Sequence, residues 1–300
     1  MTKDTATKHG FDLNDGIHVI KPGGSVITDR TKASTFNRAR ADAFCRCLAH
    51  SFANGELKHV VLAIGGGSFA HDIVRANRIN EPTRRDPRDL FKLPASLFAL
   101  QSRLLECLSR AGVPALPFHP TSLMQTNGNE ADKMFFEPLY AALAQGFVPV
   151  LTGGLVFDQQ SGFKVFSSDW LPVALSAGFQ IKRFVVLTDQ PGIRVDIAGS
   201  EIFSRVTQAN FRTVERSLTP GQRVDVTRGM NGKLDALLQL ARRGVSSVVC
   251  DGRNPTPDYF DHLFSAKPPG TVIEAWDPDT IDTRDARSHK SVTSSRPHSA

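Results

Sequence analysis

Lys21 is followed at once by Pro22, Gly23, Gly24 and Ser25, and three further stretches set small residues beside a charge. AIGGGSFAHD runs from Ala63 through Gly65, Gly66 and Gly67 to His71. FSSDWLP carries Ser167, Ser168 and Asp169, and VTRGMNGKLDALL carries Thr227, Gly229, Gly232 and Lys233. Glycine lets a backbone come close to a ligand and aim N–H groups at it, while a neighbouring ammonium adds a full charge, so the pattern suits anions. The last stretch also opens an amphipathic helix, whose amino end carries a positive partial dipole. No G-x-x-x-x-G-K-[ST] run occurs, so this cradle is not a Walker loop. Asp169 has two readings at this point: an ordinary helix N-cap, or an acid that holds two lysines in register.

A dinucleotide reading competes for the glycine loop. Gly65, Gly67 and Ala70 fit G-x-G-x-x-G/A, with Asp86 or Asp89 about 20 residues further on. That fingerprint belongs after the first strand of such a fold, and here KPGGS holds that place.

The elements that must position these residues are legible as short apolar runs ending in small or acidic residues. They are HVIKPGGS, HVVLAIGGG, FVPVLTGG, FVVLTD and SVVCDG. Between them lie helical patterns. Leu97, Leu100, Leu104 and Leu108 recur every three or four positions before Gly112, and Leu234, Leu237, Leu238 and Ala241 do so before Gly244. Strands alternating with helices predict an α/β fold with a largely parallel sheet, in which ligands bind beyond the carboxyl ends of the strands. The glycines, Ser25, Thr188 and Asp189 all fall at those ends. SGFKVF after VFDQQ predicts a small hairpin, and the charged, proline-bearing stretch 76–95 predicts a long loop over the site.

Composition sets limits. At 300 residues with 40% hydrophobic residues the chain can bury a large core, and no run approaches a membrane span. The polar start and the missing apolar signal region predict a cytoplasmic protein. Cys45, Cys47, Cys107 and Cys250 lack zinc spacing and read as reduced, buried thiols, so no metal site of the protein's own is expected. The net charge of +6 admits acidic partners, but the basic residues are scattered and only two Trp and two Tyr are present to stack bases. A phosphate-rich small substrate is expected, with no nucleic acid and no membrane. The tail 277–300 is polar and expected to be disordered.

Taken in order, KPGGSVITDR, GGGSFAH, PVLTGGLVFD, VFSSD, VVLTDQPGI and DVTRGMNGKLDALLQLARRG resemble the amino-acid kinase superfamily, in the branch holding isopentenyl phosphate kinases and fosfomycin kinases. The resemblance implies a three-layer α/β sandwich with a mainly parallel central sheet over residues 17–276, after an N-terminal extension at 1–16. It implies an acceptor lobe at about 17–180, a nucleotide lobe at about 181–276, ATP with Mg²⁺, and a homodimer. By position, Lys21 and Lys233 grip the transferring phosphoryl, Asp169 holds both lysines, and His71 touches the acceptor's phosphate or phosphonate. Lys21, His71, Asp169 and Lys233 are thus the catalytic set. Gly66, Gly67, Gly153, His71, Ser167 and Ser168 are assigned to the acceptor. Lys21, Gly23, Gly24, Ser25, Arg30, Thr188, Asp189, Thr227, Gly229 and Lys233 are assigned to ATP. An ionised phosphate or phosphonate oxygen is already a nucleophile, so no general base is needed.

Pro22, Arg30, Ala70 and Arg228 depart from the family's usual residues. Two features choose the acceptor. Isopentenyl phosphate kinases typically carry histidine where Ile64 stands and Ser-Gly-Asp where Ser167, Ser168 and Asp169 stand. Both features look more like fosfomycin kinases, so the expected acceptor is a phosphonate, fosfomycin first, with a role in resistance or self-protection. The runner-up is isopentenyl phosphate, which requires an apolar tunnel assigned to Leu97, Phe98 and Leu100. A non-catalytic nucleotide-binding protein on the same fold is the third reading.

Overall fold

The computed structural model describes residues 15–77, 79, 86–128, 130–195, 200–217 and 229–277. From the amino end its strands are β1 (Ile17–Pro22), β2 (Thr28–Asp29), β3 (Thr35–Phe36), β4 (Val60–Ile64), β5 (Ala115–Phe118), β6 (Met124–Asn127) and β7 (Glu130–Met134). They continue as β8 (Val148–Thr152), β9 (Gly154–Asp158), β10 (Gly162–Phe166), β11 (Ile181–Thr188), β12 (Arg205–Val206), β13 (Ser247–Asp251) and β14 (Thr271–Ile273).

Apolar β-branched runs form strands buried on both faces, and that is what β1, β4, β8, β11 and β13 become. They lie side by side in an eight-stranded sheet of order β12-β14-β13-β11-β1-β4-β8-β5 among the described residues. All neighbouring pairs are parallel except β13 with β14. Helices cover both faces. Leu139 and Leu143 of helix Glu137–Ala144, Leu171 of Leu171–Leu175 and Leu237 of Gly229–Arg242 close one core. Phe44 and Leu48 of helix Arg38–Ala53, Leu100 and Leu104 of Lys92–Arg110 and Phe260 of Tyr259–Phe264 close the other. This is the α/β fold with a largely parallel sheet that the alternating pattern predicts, in the three-layer sandwich that the resemblance implies.

A four-stranded sheet, β10-β9-β6-β7, flanks the main one. Its β9–β10 hairpin is the one expected from VFDQQSGFKVF, with Gly162 at φ 76° in the turn. Two predicted helices end where their glycines require, with Gly112 at φ 78° and Gly244 at φ 77°.

The stretch 76–95 differs from the expected long loop in its second half. Pro87–Leu90 is a short helix, capped by Asp86, whose side chain accepts from Arg88 N at 2.8 Å. The next helix already begins at Lys92. Pro87 and Pro94 both sit in first turns, where an amide N–H has no intrahelical acceptor, so proline starts these helices rather than breaking them. The division expected at residue 180 falls between two neighbouring strands of one sheet, since β1 pairs β11 along its whole length. The extension 1–16 lies outside the described residues up to 14, and the tail does so from 278 onward.

Candidate functional site

Parallel pairing brings the carboxyl ends of β1, β4, β8, β11 and β13 to one edge, and the expected site residues gather along it. Lys21 leaves β1 on the face that carries Val19, towards helix Gly229–Arg242 and the loop before Leu171. There Asp169 Oδ1 accepts both ammoniums, Lys21 Nζ at 2.5 Å and Lys233 Nζ at 2.6 Å. Ser167 Oγ donates to the other carboxylate oxygen at 3.3 Å and accepts from Asp169 N at the same distance. Asp169 is therefore no N-cap: helix Leu171–Leu175 is entered through Trp170, without a side-chain cap.

The cluster is almost dry. The Lys21 side chain is 4% exposed and that of Asp169 11%. Burial alone would push the Asp169 carboxyl up, but Lys21 and Lys233 outweigh it and hold that carboxyl well below the usual carboxylate range. Burial pushes the Lys21 ammonium below the ordinary lysine value; Asp169 opposes that, and the charge of Lys233 reinforces it. Two ammoniums around one carboxylate leave one surplus positive charge in a low-dielectric site, the condition in which it acts most strongly on an incoming phosphoryl group.

The glycines do two different jobs. Gly23 N donates to Leu187 O at 2.8 Å, extending the β1–β11 ladder, and Gly65 N donates to Pro22 O at 3.1 Å. The N–H expected from Gly23 at a phosphate is thus committed to the sheet, a correction to its assignment as an anion donor. Gly24, Gly65 and Gly67 instead bring the two loops into backbone contact. A Cβ on Gly65 would stand 2.5 Å from Gly24 N, and one on Gly67, at φ +50°, would overlap Thr28 Oγ1 and Gly24. Among the described residues the N–H groups of Gly24, Gly66 and Gly67 donate to no backbone carbonyl outside regular structure. Thr28, which the sequence reading passed over, fastens the loops together: its hydroxyl donates to Gly24 O at 2.6 Å and accepts from Ser68 N at 3.2 Å. Nothing in VITDR signals this, because the partner loop is forty residues away in the chain.

Among the residues expected at the acceptor, His71 opens helix His71–Ala76 directly after the glycine loop and is half-buried. Gly153 lets β8 pass close to the serines, since a Cβ there would lie 2.7 Å from Phe166 O and 2.8 Å from Ser168 N. Ser168 is buried, and Ser167 spends its hydroxyl on Asp169. Leu97 stands between the two glycine turns, its methyls 3.2 and 3.4 Å from where Cβ atoms on Gly66 and Gly154 would be. Leu100 is wholly inside the core and Phe98 is 53% exposed, stacked on His119 at 4.0 Å, so of the three residues assigned to a tunnel only Leu97 adjoins the loops.

Among the residues expected at the nucleotide, Thr188 Oγ1 donates to Asp189 Oδ1 at 3.1 Å. Ser25, Arg30 and Asp189 line one cleft of about 350 Å³ at the strand ends, together with Thr28, Arg40 and Arg253. Gly229 is the first residue of the helix that bears Lys233; Thr227 and Arg228 lie outside the described residues. Among the described residues no group of three or more His, Cys, Asp or Glu side chains is arranged to hold a metal ion, and no helix is long and apolar enough to cross a membrane.

A sequence profile described as the amino acid kinase family matches residues 16–251. The chain belongs to the amino acid kinase family. The chain is 31% identical over 259 residues to the isopentenyl phosphate kinase of Haloferax volcanii, a match covering 85% of the chain and 97% of the relative. Over 248 residues it is 27% identical to the isopentenyl phosphate kinase of Methanothermobacter thermautotrophicus, covering 79% of the chain and 91% of the relative. A solved structure of an isopentenyl phosphate kinase shares the fold with a TM-score of 0.67 at 22% identity, over 86% of this chain and 99% of that one. The family makes the protein an ATP-dependent phosphotransferase acting on small molecules.

Proposed function

We propose that this protein transfers the γ-phosphoryl group of MgATP to a phosphate oxygen of a small alkyl phosphate, with isopentenyl phosphate the first candidate. The observation that carries the reading is a nearly full-length similarity to isopentenyl phosphate kinases in a chain whose Lys21, Asp169 and Lys233 form one buried cluster. Donor and acceptor are both anionic, and bringing them to in-line distance costs Coulomb repulsion. In this reading Lys21 and Lys233 offset that repulsion from two sides, Asp169 fixes the distance between them, and Gly24, Gly66 and Gly67 offer N–H donors. His71 faces the acceptor phosphate. Mg²⁺ enters with the nucleotide as part of the substrate, and the chain works as a homodimer.

The phosphonate reading rested on Ile64 and on the second serine of Ser167–Ser168–Asp169. Ser167 hydrogen-bonds Asp169 and Ser168 is buried beside Gly153, so both serines have roles in shaping the loop whatever the acceptor. With that, and with relatives named as isopentenyl phosphate kinases, fosfomycin becomes the second choice. The test is ADP release from the purified protein with MgATP and each acceptor in parallel. Turnover with isopentenyl phosphate and none with fosfomycin is expected; the reverse would restore the phosphonate reading.

A further inference from the structure

The helix that carries Lys233 ends in two arginines, and the chemistry described so far uses neither. Arg243 is the first residue beyond Gly229–Arg242. Its backbone is fixed there: its N donates to Leu240 O at 2.9 Å, and Gly244, at φ 77°, turns the chain away. Its guanidinium reaches across to Leu171–Leu175, the helix that follows Asp169. Nη1 donates to Val173 O at 2.6 Å and to Ser176 Oγ at 2.7 Å, and Ser176 Oγ itself donates to Val173 O at 2.8 Å. Val173 O is open to both because Ala177 N, its partner had the helix continued, donates to Ala174 O instead. Arg243 thus supplies a charged donor where the helix after Asp169 runs out of amides.

The two helices are therefore joined twice. Lys233 Nζ meets Asp169 Oδ1 at 2.6 Å before the shorter helix begins, and Arg243 meets Val173 and Ser176 where it stops. Between these contacts Leu234, Leu237, Leu238 and Ala241 are buried. Apolar packing is non-directional, so it holds a helix against a sheet without fixing its tilt. Directional contacts gather at the last turn instead. On its other flank Arg242 Cζ lies 4.8 Å from the Trp276 ring centre and 5.9 Å from that of Phe211, and Trp276 N donates to Ala241 O at 2.8 Å. From Arg243 back to Lys233 the helix is an arm of about 15 Å, so a tilt of roughly 4° at the clamp moves Lys233 by about 1 Å. A displacement of that size at a reacting centre costs about 100-fold in rate.

We propose that Arg243 is a positioning residue for Lys233: by fastening the end of helix Gly229–Arg242 to Val173 and Ser176, it sets the tilt that keeps the Lys233 ammonium against Asp169. The inference rests on the reading in which Lys233 grips the transferring phosphoryl group, but not on the identity of the acceptor. A residue that acts through a group engaged where charge develops alters kcat and leaves KM nearly alone. The Arg243 side chain is exposed, so its loss loosens the arm rather than freeing it, and the effect falls below the full cost of a 1 Å displacement.

The test is a double-mutant cycle on single-turnover ADP formation from MgATP and isopentenyl phosphate, with the full chain in excess so that slow variants stay measurable. Melting curves establish that each variant is folded. Arg243→Ala is expected to lower the saturated rate about tenfold and to leave half-saturation by MgATP within about twofold, with Arg243→Lys recovering most of the loss and Ser176→Ala losing about threefold. In the Lys233→Ala background Arg243→Ala should cost nothing further, because the group it positions is gone. A second arm needs no acceptor. Acylation of Lys233 by a succinimidyl ester in the nucleotide-free protein, read by peptide mass spectrometry against the exposed Lys267, should run several-fold faster in Arg243→Ala. A folded Arg243→Ala protein with wild-type rate and wild-type Lys233 acylation, or a rate loss equal with and without Lys233, would overturn the proposal. A wild type inactive on isopentenyl phosphate would remove the acceptor assignment; the acylation arm then decides, faster modification upholding the clamp and an unchanged rate overturning it.

Discussion

Two charged regions meet at the carboxyl edge of the same sheet and are built on opposite principles. Around Asp169 the charges are few and dry, with one carboxylate oxygen clamping two ammoniums at 2.5 and 2.6 Å. Around Arg253 they are many and wet, with the Arg253 and Asp251 side chains 41% and 34% exposed. In the first region each charge interacts through a low-dielectric medium and cannot be replaced by water; in the second, solvent and salt share the work. Charge that develops in a transition state is stabilised best in surroundings of the first kind, while the second kind suits reversible, salt-sensitive contacts.

The largest expected effects come from emptying the dry cluster. Lys21→Ala and Lys233→Ala should each lower kcat by about 1000-fold, since each removes a fixed positive charge from developing phosphoryl charge. Asp169→Asn should do the same and also lower stability by about 3 kcal/mol, because two buried ammoniums lose their counter-ion. Steady-state kinetics and denaturant unfolding measure both. Near-wild-type turnover in any of the three would remove the contrast with the cleft.

Next comes the joint between the loops. Gly67→Ala puts a side chain at φ +50° into Thr28 and Gly24, shifting both glycine turns, and displacement of that size costs about 100-fold in rate. Thr28→Val keeps the shape but cuts the hydrogen-bond link, so it should lose less; an equal loss would point to Thr28 itself touching substrate.

A smaller effect sharpens the dry side. Burial lowers the Lys21 pKa below its ordinary 10.5, and the charged form is the one required. kcat/KM should therefore fall with rising pH before 10.5 is reached. Lys21→Arg, slower overall because its geometry differs, should lose that alkaline limb, since a guanidinium stays charged. An alkaline limb unchanged in Lys21→Arg would assign it to another group. Smallest of all, raising the ionic strength should increase KM for MgATP several-fold in the wild type and less in Arg253→Gln, with kcat nearly constant in both.

How much of this the sequence carries follows from how local each signal is. Strands β1, β4, β8, β11 and β13 of the main sheet and the β9–β10 hairpin are readable because apolar runs and turn glycines act over a few residues, whereas the short strands β5, β12 and β14 towards the ends of the sheet offer no run of comparable length. Lys21, Asp169 and Lys233 share no local pattern; only the ordered set of motifs joins them, and the 2.5–2.6 Å contacts exist because β1, the Ser167–Asp169 loop and helix Gly229–Arg242 converge. Local rules misled at Gly23, whose N–H belongs to the sheet, and at Pro87 and Pro94, which begin helices. They also misled at Phe98, whose helical spacing beside Leu97 does not tell that it faces outward. Thr28 was not legible because its partner Ser68 lies forty residues away, and Arg40 and Arg253 because only the sheet edge brings them to one cleft, where composition and periodicity carry no information.

The central claim is tested most directly by ADP release with MgATP and isopentenyl phosphate, run side by side for the wild type and Lys21→Ala. Steady release that depends on the acceptor and falls about 1000-fold in the variant is expected. Acceptor-dependent release that survives the loss of Lys21, or a wild type that makes no ADP with isopentenyl phosphate, would contradict it.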